Sequence, residues 1–216
     1  MIIDNKTVSL LHFDNKNNLL KDVFNNTWIN NKGVYYNSGK FNGAVDLTNS
    51  GYFYTTDSAI VNLTEYTIDF WGFVPSNTID YYRICFGEST TEKYYGIISS
   101  DTYSTPSGNI YLTDTDESLK VNDWNHFAFV FKDKWYLFVN GMLKATVETS
   151  TLPAISSMLC IGNYKNQDNN APSYNYIDEL RISNVARWTS DFYVPIGAYT
   201  DKYILYLTKD GSVYSR

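Results

Sequence analysis

Acidic side chains at two places in the sequence have a spacing that bears on acid–base chemistry. Asp114 and Asp116 are two residues apart, so on a strand they would share one face. Glycoside hydrolysis needs two carboxyl groups about 5 to 9.5 Å apart. However, the residues that follow, Ser-Leu-Lys-Val-Asn-Asp, are typical of a loop, and the pair lacks the flanking aromatic residues of a sugar cleft. Asp178 and Glu179 are adjacent, so on a regular strand they would face opposite sides and form no carboxylate pair. We therefore predict that the protein is not an enzyme.

The other residue types used in catalysis are sparse. The two histidines, His12 and His126, are far apart in the sequence. No Ser, Cys or Thr lies in a nucleophile elbow, and there is no glycine-rich phosphate loop. Cys85 and Cys160 lie in apolar, strand-like segments and match neither a disulfide framework nor a zinc site. Two buried thiols are favoured over one disulfide.

Sugar recognition is a second chemistry that the composition supports. The chain contains 20 Tyr, 12 Phe and 5 Trp and is rich in Asn. The apolar face of a sugar stacks on an aromatic ring, while its hydroxyl groups bond to amides and carboxylates. The candidate rings at predicted loops and strand ends are Tyr81, Tyr82, Tyr94, Tyr95, Tyr103, Tyr164 and Tyr174. The alternative is that each ring fills a half-buried β surface and keeps its hydroxyl in water.

The overall composition excludes several classes of protein. The 216 residues include 23 acidic and 17 basic side chains, for a net charge of −6, without the Lys and Arg clusters of nucleic-acid-binding proteins. With 44% hydrophobic and 19% charged residues, the chain is expected to fold rather than remain disordered. No segment approaches the roughly 20 apolar residues of a membrane-spanning helix. The start of the chain, MIIDNKTVSLLHFDNKNN, lacks the basic and apolar regions of a signal peptide.

Strand patterns recur about every 8–12 residues and predict an all-β protein. The clearest pattern covers Trp124–Glu148, where Phe127, Phe129 and Phe131 alternate with other residues. The Asn140-Gly141 pair favours a tight hairpin turn because both residues tolerate positive φ. We predict a three-stranded antiparallel meander in the middle of a sheet, with the three Phe side chains in the core. The number of strands exceeds that of an immunoglobulin domain and indicates a two-sheet antiparallel jelly-roll sandwich.

Several segments, taken in order, resemble a known family. They are LLHFDN at 10–15, KFNGAVDL at 40–47, TIDFWGFVP at 67–75, WNHFAFVFKDKWYLFVNG at 124–141 and YIDELRISNVARWTSDFYVP at 176–195. Together they resemble the concanavalin A-like jelly rolls of the laminin G type, from about Val8 to Pro195. The resemblance implies two antiparallel sheets and places His126 in a packing role.

The resemblance also implies binding partners and a metal. Members of the family bind glycans or proteins, often beside a structural calcium, and serve as lectin-like modules of enzymes, as adhesins or as parts of phage virions. The positions that match the calcium ligands are Asp14 and Asp178, with backbone carbonyl groups near residues 39–43 to complete the site. The alternative for Asp178 is that it caps a turn or pairs with Arg181 or Arg187.

These observations predict a laminin G-like domain over residues 1–196 that is non-catalytic and binds a glycan or surface polysaccharide. We expect it to be displayed on a phage virion or an extracellular surface, without nucleic-acid binding or membrane insertion. The first alternative is a purely structural virion protein, such as a capsid decoration or a tail component, that binds only other virion or surface proteins, and the second is a glycoside hydrolase. Residues 197–216 form a predicted hairpin tail with apolar residues on both faces, which favours assembly into a homo-oligomer.

Overall fold

The computed structural model describes residues 3–74, 81–86, 94–98, 102–105, 108–111, 119–148, 157–162, 176–194, 205–207 and 213–215. The strands are β1 (Thr7–Leu11), β2 (Ile29–Asn31), β3 (Val34–Tyr36), β4 (Ala44–Asp46), β5 (Tyr52–Thr55), β6 (Tyr66–Val74), β7 (Tyr81–Phe86), β8 (Tyr94–Ile98), β9 (Thr102–Thr105), β10 (Gly108–Tyr111), β11 (Asp123–Phe131), β12 (Trp135–Val139), β13 (Met142–Val147), β14 (Leu159–Ile161), β15 (Tyr176–Ser183), β16 (Leu205–Leu207) and β17 (Val213–Ser215). Among the described residues, no helix has the length and hydrophobicity needed to cross a membrane.

The strands form two large antiparallel sheets, which confirms the predicted fold class. The eight-stranded sheet has the order β13-β12-β11-β6-β15-β4-β3, and β1 pairs with the half of β15 that β4 leaves open. The seven-stranded sheet has the order β10-β9-β8-β7-β14-β5-β2. Half of the neighbouring pairs in these two orders join strands that are not consecutive in the sequence, as expected of a jelly roll rather than a series of hairpins.

The hydrophobic core lies between the two sheets and follows the period-two alternation of the strands. From the eight-stranded sheet, β6 contributes Tyr66, Ile68 and Phe70, and β11 contributes its three alternating Phe residues, all at most 4% exposed. From the seven-stranded sheet, Phe53, Leu159 and Ile161 complete the same cluster. The burial of Phe127, Phe129 and Phe131 confirms the prediction made from their spacing.

The meander is present, but its predicted position in the sheet is wrong. β11, β12 and β13 pair in order, and Asn140 and Gly141 have φ values of 50° and 80°, as the turn requires. However, β13 is the edge strand, so the meander lies at one side of the sheet rather than in its middle. Sequence alternation defines the hairpins, whereas the position of an edge depends on pairing between distant strands.

A segment at residues 184–194, here called the strap, crosses the outer face of the eight-stranded sheet. Its Trp188 and Phe192 rings stack at 3.7 Å and pack over Ala128, Val130, Tyr136 and Phe138. The Phe192 amide donates to the Gly141 carbonyl at 2.8 Å, and the Leu143 amide donates to the Asp191 carboxylate at 2.7 Å. The strap therefore buries outward-facing side chains that a single-layer sheet would expose.

A buried cluster of three ionisable side chains, Asp69, Arg181 and His126, lies beneath the strap. Asp69 accepts two hydrogen bonds from Arg181, from Nε at 2.9 Å and Nη2 at 3.0 Å, and His126 Nε2 lies 3.2 Å from the second oxygen of Asp69. All three side chains are at most 1% exposed. Burial lowers the pKa of His126, so the imidazole is neutral at pH 7. His126 also packs against Trp188 and Phe192, in keeping with the predicted packing role.

β16 and β17 form a separate two-stranded antiparallel sheet. Their residues fall within the predicted hairpin tail. The domain boundary at residue 196 and the assembly role of the tail remain predictions.

Candidate functional site: a carboxylate cluster and an adjoining pocket

Two carboxylates that are far apart in sequence meet at one loop. Asp14 follows β1, after Phe13 has turned the chain with a φ of 58°. Asp178 lies in β15, just before a β-bulge that separates it from Arg181 in the pairing with β6. The loop of residues 39–43, between β3 and β4, connects them. The structure therefore brings together the two residues that the resemblance singled out.

Backbone amides of this loop hold both carboxylates. The Gly43 amide donates to Asp14 Oδ1 at 2.9 Å, and the Phe41 amide donates to Asp178 Oδ2 at 2.9 Å. The loop is closed by a hydrogen bond of 2.8 Å from the Gly39 amide to the Asn42 carbonyl. A Cβ atom at Gly39 would lie 2.1 Å from the Gly43 carbonyl oxygen and 2.9 Å from Asp178 Oδ2, so only glycine fits there. The loop thus places amide donors against both carboxylates.

Asp178 is in an unusual electrostatic setting. Its side chain is fully buried, and its Oδ1 atom accepts no hydrogen bond. Burial, together with the nearby charges of Glu179 and Asp14, raises the pKa of Asp178 to about 8. The predicted alternative pairing with arginine is wrong, since Arg181 pairs with Asp69 and Arg187 pairs with Asp4. A buried carboxylate without a cationic partner is costly, and a cation would offset that cost.

Glu179 lies next to this cluster because the strand is irregular. Its φ of 53° falls in the left-handed region, within the bulge of β15, so the regular alternation assumed from the sequence does not hold. Glu179 is 1% exposed and lies 2.6 Å from His12 Nδ1. Burial lowers the pKa of His12, but the hydrogen bond and charge of Glu179 outweigh it, so the pKa is raised. The hydrogen bond to Glu179 therefore favours the charged form of the His12 imidazole.

A pocket of about 220 Å³ opens beside Asp14, within the loop that follows β1. Its lining residues are His12, Phe13, Asp14, Asn15, Asn18, Leu19, Lys21 and Val23. Leu19 and Val23 supply apolar walls, whereas Asn15, Asn18 and Lys21 supply exposed amide and ammonium groups. The sequence analysis missed these residues, although the Asn-rich character of residues 15–18 was a visible signal. An apolar wall with a few convergent polar groups is the usual composition of a small-molecule site.

The donor set constrains which metal the cluster could hold. Among the described residues, no three or more His, Cys, Asp or Glu side chains are arranged around one metal position. The two carboxylates and the carbonyl groups of the loop are oxygen donors. Calcium accepts such mixed sets and reaches six to eight oxygens with carbonyl groups and water. The residues present therefore fit calcium and do not fit zinc, which requires nitrogen or sulfur ligands in most sites.

The structure spreads the candidate tyrosines along the seven-stranded sheet. Tyr81 and Tyr82 begin β7, Tyr94 and Tyr95 begin β8, and Tyr103 lies in β9. Because β7 and β8 are antiparallel, Tyr81 is opposite Ile98 whereas Tyr94 is opposite Cys85, so the two pairs lie towards opposite ends of the hairpin. Tyr164 and Tyr174, and the acidic pair Asp114 and Asp116, lie outside the described residues. The sugar-binding role of the tyrosines remains a prediction.

Comparison with known proteins identifies the family. The model of the concanavalin A-like lectin/glucanases superfamily, Laminin_G_3, matches residues 47–191, and the chain belongs to this family. No curated protein matches the sequence. The family description includes both lectins and glucanases, so membership alone does not separate sugar binding from sugar hydrolysis.

Solved structures share the fold at low sequence identity. Domain 4 of AbnA, an extracellular arabinanase of Geobacillus stearothermophilus solved with arabinotriose, has a TM-score of 0.60 and 19% identity, over 84% of this chain and 93% of that chain. The receptor-binding domain of the botulinum neurotoxin C/D mosaic serotype has a TM-score of 0.61 and 16% identity, over 86% of this chain and 49% of that chain. The binding domain of serotype C1 has a TM-score of 0.59 and 18% identity, over 84% of this chain and 49% of that chain. The chain thus spans about half the length of these toxin domains, and the likeness shows the fold alone.

Proposed function

We propose that this domain is a non-catalytic glycan-binding module and that the pocket beside Asp14 takes one sugar residue. The observation that carries the proposal is the composition of the pocket wall. The apolar side chains of Leu19 and Val23 suit the C–H face of a sugar ring, while Asn15 and Asn18 suit its hydroxyl groups. The volume of about 220 Å³ is that of a small site rather than a long catalytic cleft.

The proposal includes a structural calcium ion held by Asp14 and Asp178, with carbonyl oxygens of the loop at residues 39–43. The support is the buried Asp178 Oδ1 atom, which accepts no hydrogen bond, and the accumulation of acidic charge around it. Calcium would supply positive charge there, keep Asp178 ionised, and fix the loop that borders the pocket. The ion would therefore support the shape of the site rather than perform chemistry.

The comparisons agree with a binding role without deciding it. The related arabinanase domain was solved with arabinotriose, and the cell entry of botulinum neurotoxin type C depends on two ganglioside molecules. Both are carbohydrate-containing ligands, and glycan partners for this chain are proposed on that likeness together with the pocket. Display on a virion or another extracellular surface remains a prediction. So do the alternatives of a purely structural role and of hydrolysis by Asp114 and Asp116.

The glycan proposal is tested on an array of plant and bacterial polysaccharides, with Asn18→Ala and Lys21→Ala beside the wild type. Both variants are expected to lose binding because the changed side chains line the pocket. Asn17→Ala and Lys16→Ala are matched controls in the same exposed loop, outside the pocket lining, and should bind normally. The wild type is also tested in a multimerised form, which enhances weak binding. If this form binds no glycan on the array, the result would favour the purely structural role.

The calcium proposal is tested by thermal unfolding with excess calcium and with EDTA. A ligand that binds only the folded state stabilises it, by about 2.7 kcal/mol at one hundred times its Kd. Asp178→Asn is expected to remove the response to calcium, whereas Asp133→Asn, at an exposed turn, should retain it. Identical melting curves in calcium and EDTA, with no metal by elemental analysis, would contradict the site.

A further inference from the structure

The pairing of β7 with β14 sets the two cysteines of the chain opposite each other. Cys160 on β14 is the register partner of Cys85 on β7, although the two residues are far apart in the sequence. The register continues without a shift through the residue pairs on either side. Spacing in the sequence, which favours two buried thiols over one disulfide, gives no sign of this juxtaposition.

The backbone spacing of two such positions suits a disulfide. Residues that are directly opposite each other in an antiparallel pair have Cα atoms about 4.5 or 5.5 Å apart, depending on whether the pair is hydrogen-bonded. Their Cβ atoms lie on the same face of the sheet. A disulfide joins cysteines whose Cα atoms are roughly 4.4–6.8 Å apart. The register therefore meets the distance requirement of a disulfide without movement of either strand.

Cys160 lies on the outer face of the seven-stranded sheet. Leu159 and Ile161 point into the core, so the alternation of β14 places Cys160 on the opposite face, where it packs with Tyr52 and Tyr54. Its side chain is nevertheless 0% exposed. Because access governs thiol–disulfide exchange, a bond at this buried position forms slowly in the folded chain and is broken slowly once it has formed.

The cysteine pair lies at the junction between two halves of the seven-stranded sheet. Strands β7 to β10 follow one another both in the sequence and in the sheet, whereas β5 and β2 come from the N-terminal part of the chain. β14 joins these two halves, with three residue pairs to β7 and three to β5. A covalent bond at the middle of the three pairs with β7 would hold the two halves together.

We propose that Cys85 and Cys160 form a disulfide across this junction when the protein meets a disulfide oxidant. The oxidant is a small-molecule disulfide, R–S–S–R, of the kind found in oxidising compartments. One cysteine loses its proton and attacks R–S–S–R, which gives a mixed disulfide and releases one RSH. The thiolate of the other cysteine then displaces the second RSH. Two protein thiols are thereby oxidised to one disulfide, and R–S–S–R is reduced to two RSH.

The test equilibrates the full chain with excess oxidised glutathione and, separately, with excess dithiothreitol. Because the buried position exchanges slowly, a second pair of samples is refolded from urea in the same two buffers. Thiols are counted by alkylation in denaturant, and a peptide map under non-reducing conditions identifies the bonds. We expect no alkylated cysteine after oxidation, two after reduction, and one linked pair of peptides that contains Cys85 and Cys160.

Thermal unfolding measures the effect of the bond on stability. A crosslink that closes a loop of about 75 residues lowers the entropy of the unfolded chain, so oxidation should raise the unfolding midpoint by about 10 °C. Cys85→Ala is the control, because it removes one partner, and its midpoint should be the same in both buffers. The thiol count and the peptide map use only the wild type, so they decide the question even if the variant fails to fold.

The outcomes are distinct from those of the glycan-binding tests, because none of them depends on a sugar. Two cysteines that are alkylated in both oxidised samples would overturn the proposal. Glutathione adducts at the cysteines, or a crosslink between two chains, would also overturn it, since either shows that the two sulfur atoms do not meet within one chain. A bond that forms and leaves the midpoint unchanged would overturn the stabilising role, because strain in the folded state would then cancel the entropic gain.

Discussion

Replacement of Arg181 by Met tests whether the charged group beneath the strap stabilises the fold. Arg181 is 1% exposed and donates two hydrogen bonds to Asp69, at 2.9 and 3.0 Å. Methionine keeps an unbranched apolar side chain but removes the guanidinium group. Asp69 then retains His126 Nε2, at 3.2 Å, as its remaining partner in this group.

The magnitude follows from the burial of both partners. Because Asp69 is fully buried, its carboxylate cannot recover hydration when Arg181 is removed. Breaking a buried pair in this way costs about 3–5 kcal/mol of unfolding free energy. The contact of the Arg181 guanidinium with the Trp188 ring, at 5.7 Å, is lost as well. In a domain whose total stability is about 5–15 kcal/mol, this is a large fraction.

The pair contribution is isolated by a double-mutant cycle. Unfolding free energies are measured by urea denaturation for Arg181→Met, Asp69→Leu and the double variant. The double variant leaves no unpaired charge from this pair. Its loss of unfolding free energy should therefore be about 2–3 kcal/mol smaller than the sum of the losses in the two single variants. Lys134→Met is the control, because it removes an ion pair with Glu148, whose side chain is 84% exposed. The urea midpoint of this variant should equal that of the wild type.

A pH series gives an independent check on the same reasoning. The positive charge of Arg181 opposes the effect of burial and keeps the pKa of Asp69 below its ordinary value. Without Arg181, burial raises that pKa, so the folded variant takes up a proton more readily than the unfolded chain. The cost of Arg181→Met should therefore shrink as the pH falls from 7 towards 4. A cost under about 1 kcal/mol at pH 7, or one that grows as the pH falls, would refute this account of the buried pair.

Three further predictions concern other parts of the molecule. Phe129→Ala should cost about 3–5 kcal/mol in denaturant melts because the ring is in the core, and a loss below about 1 kcal/mol would contradict that position. Burial lowers the pKa of His126 in the folded chain. As the pH falls below about 6.5, His126 is therefore protonated in the unfolded chain before it is protonated in the folded chain, which favours unfolding. Stability should then decline between pH 7 and pH 5 more steeply in the wild type than in His126→Phe, and equal slopes would show that His126 is not the source. Deletion of residues 198–216 should leave a folded monomer, as judged by circular dichroism and light scattering, if the tail mediates assembly, whereas a chain that fails to fold would place the tail in the core of the domain.

Local sequence determined the parts of the fold that depend on periodicity and turn chemistry. Alternation at Phe127, Phe129 and Phe131 identified a core-facing strand because side chains of a strand alternate between two faces wherever it lies. Asn140-Gly141 identified a turn because the positive φ values belong to those residues themselves. Asp14 and Asp178 were identified through the family resemblance and not from their spacing, which carries no sign that they meet.

Tertiary structure decided which side chains of distant strands share a site. Phe41 and Asp178 are separated by 137 positions, yet the loop amide donates to the carboxylate, and the bulge at Glu179 that shapes this cluster has no sequence pattern of its own. The ring contacts of Phe73 with Trp124 and Tyr176 likewise depend on the registers between β11, β6 and β15, and a shift of one residue in any of them would turn a ring into the core. Register is set by the packing of the whole sandwich, so the sequence predicts the strand on which each ring lies but not which rings are in contact. For the same reason, the candidate tyrosines at strand ends are near one another in the sequence. Strand pairing alone brings together Trp124, Phe73, Tyr176 and Tyr36, which the sequence does not group.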